Sequence, residues 1–327
     1  MRRRDFLRST ALAPWLGSTL AGRHDASAAA ANPAPIAARR AAAPRLVVLD
    51  WGLLETLLAL GVTPVGAAEI EAYNASVVTP LVPAQVPDVG LRLAPSLELL
   101  QQLAPDLILI NSSQESQRAM LERIAPVRAY AVYTDAGAPY RHSQDVTLQL
   151  SRLVGRPDAG HALIDATGQT LAASRARIAA HRSQLQENPF NAPRPLYLIR
   201  FFDSRHIGVY GERSLFQDVL DALDVPNAWR GPTDYWGIGV AGLEKLAASP
   251  TANLFYFEPL PHGVARTLAS NRLWHALPAV AEGRVATLPP FWGFGMLPSA
   301  ARFADALGNA LTQATATAEP AQSPIRR

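Results

Sequence analysis

"PDAGHALIDATGQTLAASRARIAAHRSQL", residues 157–185, divides the chain and sets what kind of molecule lies on either side of it. It is rich in Ala, Gln, Arg and Leu, carries Pro157 in the first turn where a helix accepts proline, and meets no further proline until Pro189. Ile164, Leu171 and Ile178 recur seven apart and so share a face. Helical throughout, the segment measures about 43 Å at 1.5 Å per residue, enough to run the height of a two-lobed molecule. Broken at Gly168, it is instead an ordinary surface helix.

On both sides of this segment the same rhythm appears. Before it, β-rich runs "RLVVLD" (45–50), "DLILI" (106–110) and "AYAVY" (129–133) alternate with helix-like "LLETLLAL" (53–60), "SLELLQQL" (96–103) and "QRAMLERI" (117–124). After it come "PLYLIRF" (195–201), "SLFQDVLDAL" (214–223), "NLFYFE" (253–258), "RVATL" (284–288) and "PSAARFADALGNAL" (298–311), with "NPFNAPRP" (188–195) as the opening loop. Strand followed by helix, repeated, specifies a parallel or mixed sheet with helices on its faces. The expected fold class is therefore α/β, with one lobe over 45–156, a linking helix over 157–185 and a second lobe over 193–313.

The amino terminus, "MRRRDFLRSTALAPWLGSTLAG", places basic residues before an apolar run too short to cross a bilayer, with small residues following, as in an export signal. Arg3 and Arg4, followed by Phe6, Leu7 and Arg8, match the twin-arginine pattern, so residues 1–30 are expected to be a signal, 31–44 a disordered leader and 314–327 a disordered tail. The signal takes five of the 30 basic and two of the 27 acidic residues, leaving 25 of each. A balanced mature chain has no electrostatic reason to seek nucleic acid. The absence of cysteine suits an oxidising compartment and removes thiolate metal sites, a lipoprotein anchor and a cysteine nucleophile.

Enzyme signatures are missing. The seven histidines are scattered, no H-E-x-x-H, Walker A or G-x-S-x-G motif occurs, and "GIGVAG" (237–242) reads as a flexible loop rather than a dinucleotide site. No protein-held metal and no cofactor are expected. What does stand out is aromatic residues beside Gly and Pro at strand ends: Trp51, Tyr235 and Trp236, then Phe291, Trp292 and Phe294. Arg92, just past Gly90 in "DVGLR", joins them. Ligands of open α/β sheets bind outside the carboxyl ends of strands, and an aromatic cleft with one guanidinium suits a bulky ligand that presents clustered oxygens. The alternative reading makes Arg92 a helix cap or the ion-pair partner of an acid such as Asp88.

The strings "LDWGLLETLLALGVTPVG", "PDVGLRLAPSLELL", "MLERIAP", "SLFQDVLDALDVPNAWRGPTDYWG" and "RLWHALPAVAEGRV" followed by "LPPFWGFG" resemble the FhuD-type ferric hydroxamate binding proteins of ABC-transporter siderophore uptake, over nearly all of 45–313. The resemblance implies a class III periplasmic binding protein, with two α/β lobes on one rigid helix, a shallow cleft and little hinge motion. It further implies a periplasmic monomer that delivers a ferric hydroxamate siderophore to an inner-membrane permease, the iron held by the ligand alone. Carried onto this chain, the arginine that hydrogen-bonds the hydroxamate falls on Arg92, and cleft aromatics fall on Trp51, Trp236, Trp292 and Phe294, with Tyr235 adjacent. Three departures accompany it. Gln114 replaces a cleft tyrosine as a second donor to the ligand, Gly293 replaces a phenylalanine, and a tryptophan near "YNASVV" gives way to Tyr73, Asn74 or Ser76. The rival readings are a binder of another large chelate (a catecholate siderophore, haem or a corrinoid) and an exported α/β enzyme.

Overall fold

The computed structural model describes residues 44–185 and 194–313. The expected signal, nearly all of the leader, residues 186–193 and the tail from 314 lie outside the described residues. The first lobe runs β1 (Leu46–Val48), α1 (Trp51–Ala59), β2 (Gly66–Ala67), α2 (Ile70–Ser76), β3 (Gly90–Leu91), β4 (Ala94–Pro95), α3 (Leu97–Leu103), β5 (Leu107–Asn111), α4 (Arg118–Leu121), β6 (Val127–Tyr130) and α5 (Pro139–Leu153). Then α6 (Pro157–Leu185) leads to β7 (Leu196–Phe201), β8 (His206–Tyr210), α7 (Leu215–Ala222), β9 (Ile238–Gly242), β10 (Asn253–Phe257), α8 (Val264–Ser270), α9 (Arg272–Ala276), α10 (Pro278–Ala281), β11 (Val285–Leu288) and α11 (Leu297–Gln313). Helix starts follow local chemistry: the Ser96 and Ser214 hydroxyls accept the Leu99 and Gln217 N–H groups at 3.3 and 3.0 Å, which is why α3 and α7 begin one residue after each serine.

The first sheet, ordered β2-β1-β5-β6, is wholly parallel; the second, β11-β10-β7-β8-β9, is parallel through β7 and antiparallel beyond it. The segment expected to be a flexible glycine loop, 237–242, is mostly strand β9. It pairs with β8 from His206↔Gly242 to Tyr210↔Ile238. Its glycines serve close packing, since a Cβ at Gly239 would lie 2.8 Å from the Trp229 ring.

α6 is unbroken, and Gly168 lies exposed on its outer side with open space around it. Its buried stripe is Thr167, Leu171, Ser174 and Ile178, at steps of four, three and four, while Ile164 is only half-buried. Two of the four are small polar residues, and α11 lies alongside the same helix. Thr167 returns its hydroxyl to the Leu163 carbonyl at 2.8 Å, and Arg177 reaches from α6 to Asp305 on α11 at 2.9 Å.

Strand side chains alternate between two cores. Leu46 and Val48 of β1, Leu196 and Leu198 of β7, and Phe255 and Phe257 of β10 all enter one central core together with α1, α5, α6, α7 and α11. Val47 and Leu49 face an outer core under the first sheet, whereas Tyr197, Ile199 and Leu254 face another under the second. The described residues thus form one compact unit around a shared centre. No helix among them is long and apolar enough to cross a membrane. Although α11 follows the last strand of the second lobe, it packs on α1, α5, α6 and α7 alike.

Glu55 of α1 fixes the start of α11. It is fully buried, and its carboxyl accepts the Met296 N–H and the Ser299 hydroxyl, the latter at 2.7 Å. Burial pushes its pKa up from 4.5 to about 7, although the Ser299 and Met296 bonds and the Arg302 charge pull the other way. A carboxyl raised in this sense keeps its proton in the fold after the unfolded chain has lost it. Its contribution is therefore fully present below about pH 4.5 and is lost as pH rises to about 7, by ~3 kcal/mol at most. Urea unfolding at pH 5 and at pH 8 is expected to show lower stability at pH 8, with a shallower fall in Glu55→Gln, which keeps an acceptor for Met296.

Candidate functional site

The carboxyl ends of β1, β5 and β6 converge on one side of a cleft of about 390 Å³, within the size range of small-molecule sites. Asp50, between β1 and α1, caps the helix by accepting the Leu53 N–H at 2.9 Å, and its second oxygen accepts the Asn111 amide at 2.6 Å from the end of β5. Burial pushes the Asp50 carboxyl up against the opposing pull of the Asn111 and Leu53 bonds and the Arg92 charge. Two strand ends are thereby pinned to each other.

A hairpin supplies Arg92. Gly90, at φ +91°, lets the chain turn, and β3 pairs with β4 so that Arg92 and Leu93 occupy the tip. Asp88 accepts the N–H groups of Glu69, Ile70 and Gly90 at 3.1, 2.8 and 2.8 Å and so is not the partner of Arg92. That partner is Glu69. Its Oε2 accepts from Arg92 Nε at 2.7 Å, and its Oε1 accepts the Arg92 backbone N–H at 3.2 Å. Glu69 holds a left-handed backbone, φ 52° and ψ 49°, which costs a non-glycine residue about 1–2 kcal/mol. The bonds from the Glu69 and Ile70 N–H groups to Asp88 enforce it.

The guanidinium lies 4.1 Å from the Trp51 ring centre and 4.9 Å from that of Trp292. With Nε committed to Glu69, its two terminal nitrogens have no hydrogen-bond acceptor among the described residues. They are free donors at the cleft.

Across from Arg92 the wall is aromatic. Trp292 meets Phe294 at 5.0 Å between ring centres, Phe294 meets Trp236 at 5.0 Å, and Trp236 meets Tyr235 at 5.1 Å and Tyr133 at 5.4 Å. The Tyr133 hydroxyl is shared between the Gly293 and Gly295 carbonyls at 3.3 and 3.2 Å, and the Tyr235 hydroxyl donates to the Tyr133 carbonyl. Both phenols are thus spent within the protein. Among the described residues, Arg92 is the one cation that lines the cleft, against the carboxyl groups of Asp50 and Glu69. No group of three His, Asp or Glu side chains among them is arranged to hold a metal ion.

Arg92, Gln114, Tyr235, Trp236, Trp292 and Phe294 therefore come together along the cleft, while Trp51 does not line it and the Gln114 amide is turned toward the protein. Trp51 is 3% exposed and lies beneath the cleft, not along it, because its Nε1 donates to the Ala68 carbonyl at 3.0 Å and its ring is covered by Trp292 and Arg92. Gln114, at 2% exposure, has its whole amide engaged. Oε1 accepts the Asn111 N–H at 2.9 Å, while Nε2 donates to the Leu49 and Arg92 carbonyls at 3.2 and 3.0 Å. It positions Arg92 and has no donor left for a ligand. At Gly293, where the resembled family has a phenylalanine, a Cβ would lie 2.6 Å from the Tyr210 hydroxyl.

Sequence reasoning missed Tyr133, Glu69, Leu91 and Leu93. Tyr133 closes "AYAVY" just past the end of β6 and carried the same strand-end signal as Trp51. Glu69 carried none, since only the fold brings it across 23 positions to Arg92.

A family model described as Periplasmic binding protein matches residues 46–291. The chain is 31% identical over 309 residues to the iron(3+)-hydroxamate-binding protein FhuD of Escherichia coli K12, a match that spans 94% of this chain and 96% of that protein. The crystal structure of the Fe3+–Desferal-bound siderophore binding protein FhuD from Vibrio cholerae superposes with a TM-score of 0.73 at 32% identity, covering 84% of this chain and 99% of that one. The triscatecholate siderophore binding protein FeuA from Bacillus subtilis shares the fold, with a TM-score of 0.63 at 17% identity over 83% of this chain and 93% of its own.

Replacing Gln114 by Ala strips partners from one N–H and two carbonyls at the cleft floor, so urea unfolding is expected to show a loss of about 1–3 kcal/mol.

Proposed function

The chain belongs to the periplasmic binding protein family, and on that premise we propose that it captures ferric siderophores of the hydroxamate type and delivers them to an ABC permease. The observation that carries this reading is the Arg92 guanidinium, held at Nε and stacked over indoles, with two terminal nitrogens free at an aromatic cleft. Three hydroxamates neutralise Fe³⁺ and leave partial negative charge on six clustered oxygens. Such a surface accepts directed hydrogen bonds and needs no excess of cations. The FhuD relatives of Escherichia coli and Vibrio cholerae, one named for iron(3+)-hydroxamate binding and the other seen with Fe3+–Desferal, support the same chemistry. Haem fits less well. Among the described residues no histidine lines the cleft, and the Tyr133 and Tyr235 hydroxyls that could otherwise ligate iron already donate to backbone carbonyls.

The protein acts in this proposal as a periplasmic monomer, without a cofactor or metal site of its own, exported by the twin-arginine route. Replacing Arg3 and Arg4 together by Lys is expected to leave precursor in the cytoplasm, because the receptor reads guanidinium geometry as well as charge; undiminished periplasmic protein on a cell-fraction immunoblot would point to the general secretory route.

Titration of the mature protein with ferrichrome or ferrioxamine B should quench tryptophan fluorescence, through Trp236 and Trp292 at the cleft wall. Arg92→Ala should weaken binding by about 1.5–3 kcal/mol, roughly ten- to a hundredfold, and Arg92→Lys should restore only part of it. Silence toward a panel of hydroxamates, beside clear binding of haem or a corrinoid, would overturn the reading.

A further inference from the structure

The charge inventory of the cleft separates two kinds of iron chelate. Its single guanidinium faces the Glu69 carboxylate at 2.7 Å, Asp50 adds a second carboxyl group, and no Lys or His among the described residues lines it. Arg92 therefore brings directed donors without net positive charge. An electroneutral tris-hydroxamate needs no more than that. A triscatecholate, in which six negative oxygens surround Fe³⁺, arrives with a net charge of about −3 and must find cations to replace its lost hydration.

Glu69 is not a bystander that could swing away. Its left-handed backbone is clamped by Asp88 at the N–H groups of Glu69 and Ile70, and both carboxylate oxygens are bound by Arg92. Only one-fifth of its side chain is exposed, so water screens its charge incompletely. Chelates that hydrogen-bond the terminal nitrogens of Arg92 leave the Nε bond to Glu69 intact, and the carboxylate stays beside the ligand.

We propose that Glu69 is a specificity determinant, a fixed negative charge that turns anionic iron chelates away and leaves the cleft selective for electroneutral ferric hydroxamates. This rests on the hydroxamate reading given above. Glu69→Gln is the direct test, since its amide oxygen still accepts from Arg92 Nε. Leu93→Lys, at an exposed rim position, shifts the same charge balance without touching that pair.

Wild type and both variants are titrated with ferrichrome and with ferri-bacillibactin at low salt, and melting curves identify the folded variants. The ratio of triscatecholate to ferrichrome affinity is expected to rise roughly tenfold or more in each variant, and added salt should erode the gain. A folded Glu69→Gln whose ratio stays within twofold of wild type overturns the proposal, and so does a wild type that binds both chelates equally. Should Glu69→Gln fail to fold, Leu93→Lys decides by the same criterion. A wild type that ignores ferrichrome altogether sinks the hydroxamate reading itself, and this proposal with it.

Discussion

The central apolar core is the constraint from which the rest of the molecule follows. Side chains of β1 in one sheet and of β7 and β10 in the other point into the same space, filled by α1, α5, α6, α7 and α11. Phe216, Phe257, Phe291 and Phe303 meet there within 4.3–6.4 Å of each other. Parting the lobes would expose that surface, at roughly 25 cal/mol per Å² of apolar area. A long helix sharing one core with both sheets makes a cleft whose walls are already in place before a ligand arrives.

Preformed walls are useful only if the polar group between them is equally fixed. Arg92 satisfies this through contacts that leave its terminal nitrogens alone: Glu69 takes its N–H and Nε, Gln114 takes its carbonyl, and two indoles hold the guanidinium plane. Each freedom removed beforehand is one that binding need not remove later. The ion pair itself, partly exposed, adds little to stability and matters chiefly as a positioning device.

Buried carboxyl groups recur where segments distant in sequence must meet. Glu55 joins α1 to the start of α11, 241 positions away, and Asp50 joins the ends of β1 and β5. Burial raises both pKa values, so neither group favours the fold by its charge. What each provides is acceptors for N–H and O–H groups that would otherwise be left dry at a helix start. Arg302 does the complementary work as a donor, reaching the Val77 and Pro290 carbonyls while its guanidinium covers Phe291.

Features that depend on neighbours along the chain were legible in the residues alone. The run 157–185 reads as α6 at its full length, and the runs at 45–50, 106–110 and 195–201 read as the strands found at 46–48, 107–111 and 196–201. Aromatic residues at strand ends, with the arginine after Gly90, marked the cleft. Features that depend on pairing between distant segments emerged with the fold. The glycine run at 237–242 became a strand because β8 offers it hydrogen bonds, and Thr167 and Ser174, which no apolar period marks, lie in the buried α6 stripe. Trp51 sank beneath the cleft, and Gln114 turned to the backbone, because unpaired groups of other segments lay within their reach. Glu69 found Arg92 because a left-handed turn and two backbone bonds to Asp88 aim its carboxylate. Hydrogen bonds and ion pairs act over about 3 Å of space whatever the separation in sequence, and no local pattern records which partner the fold will deliver.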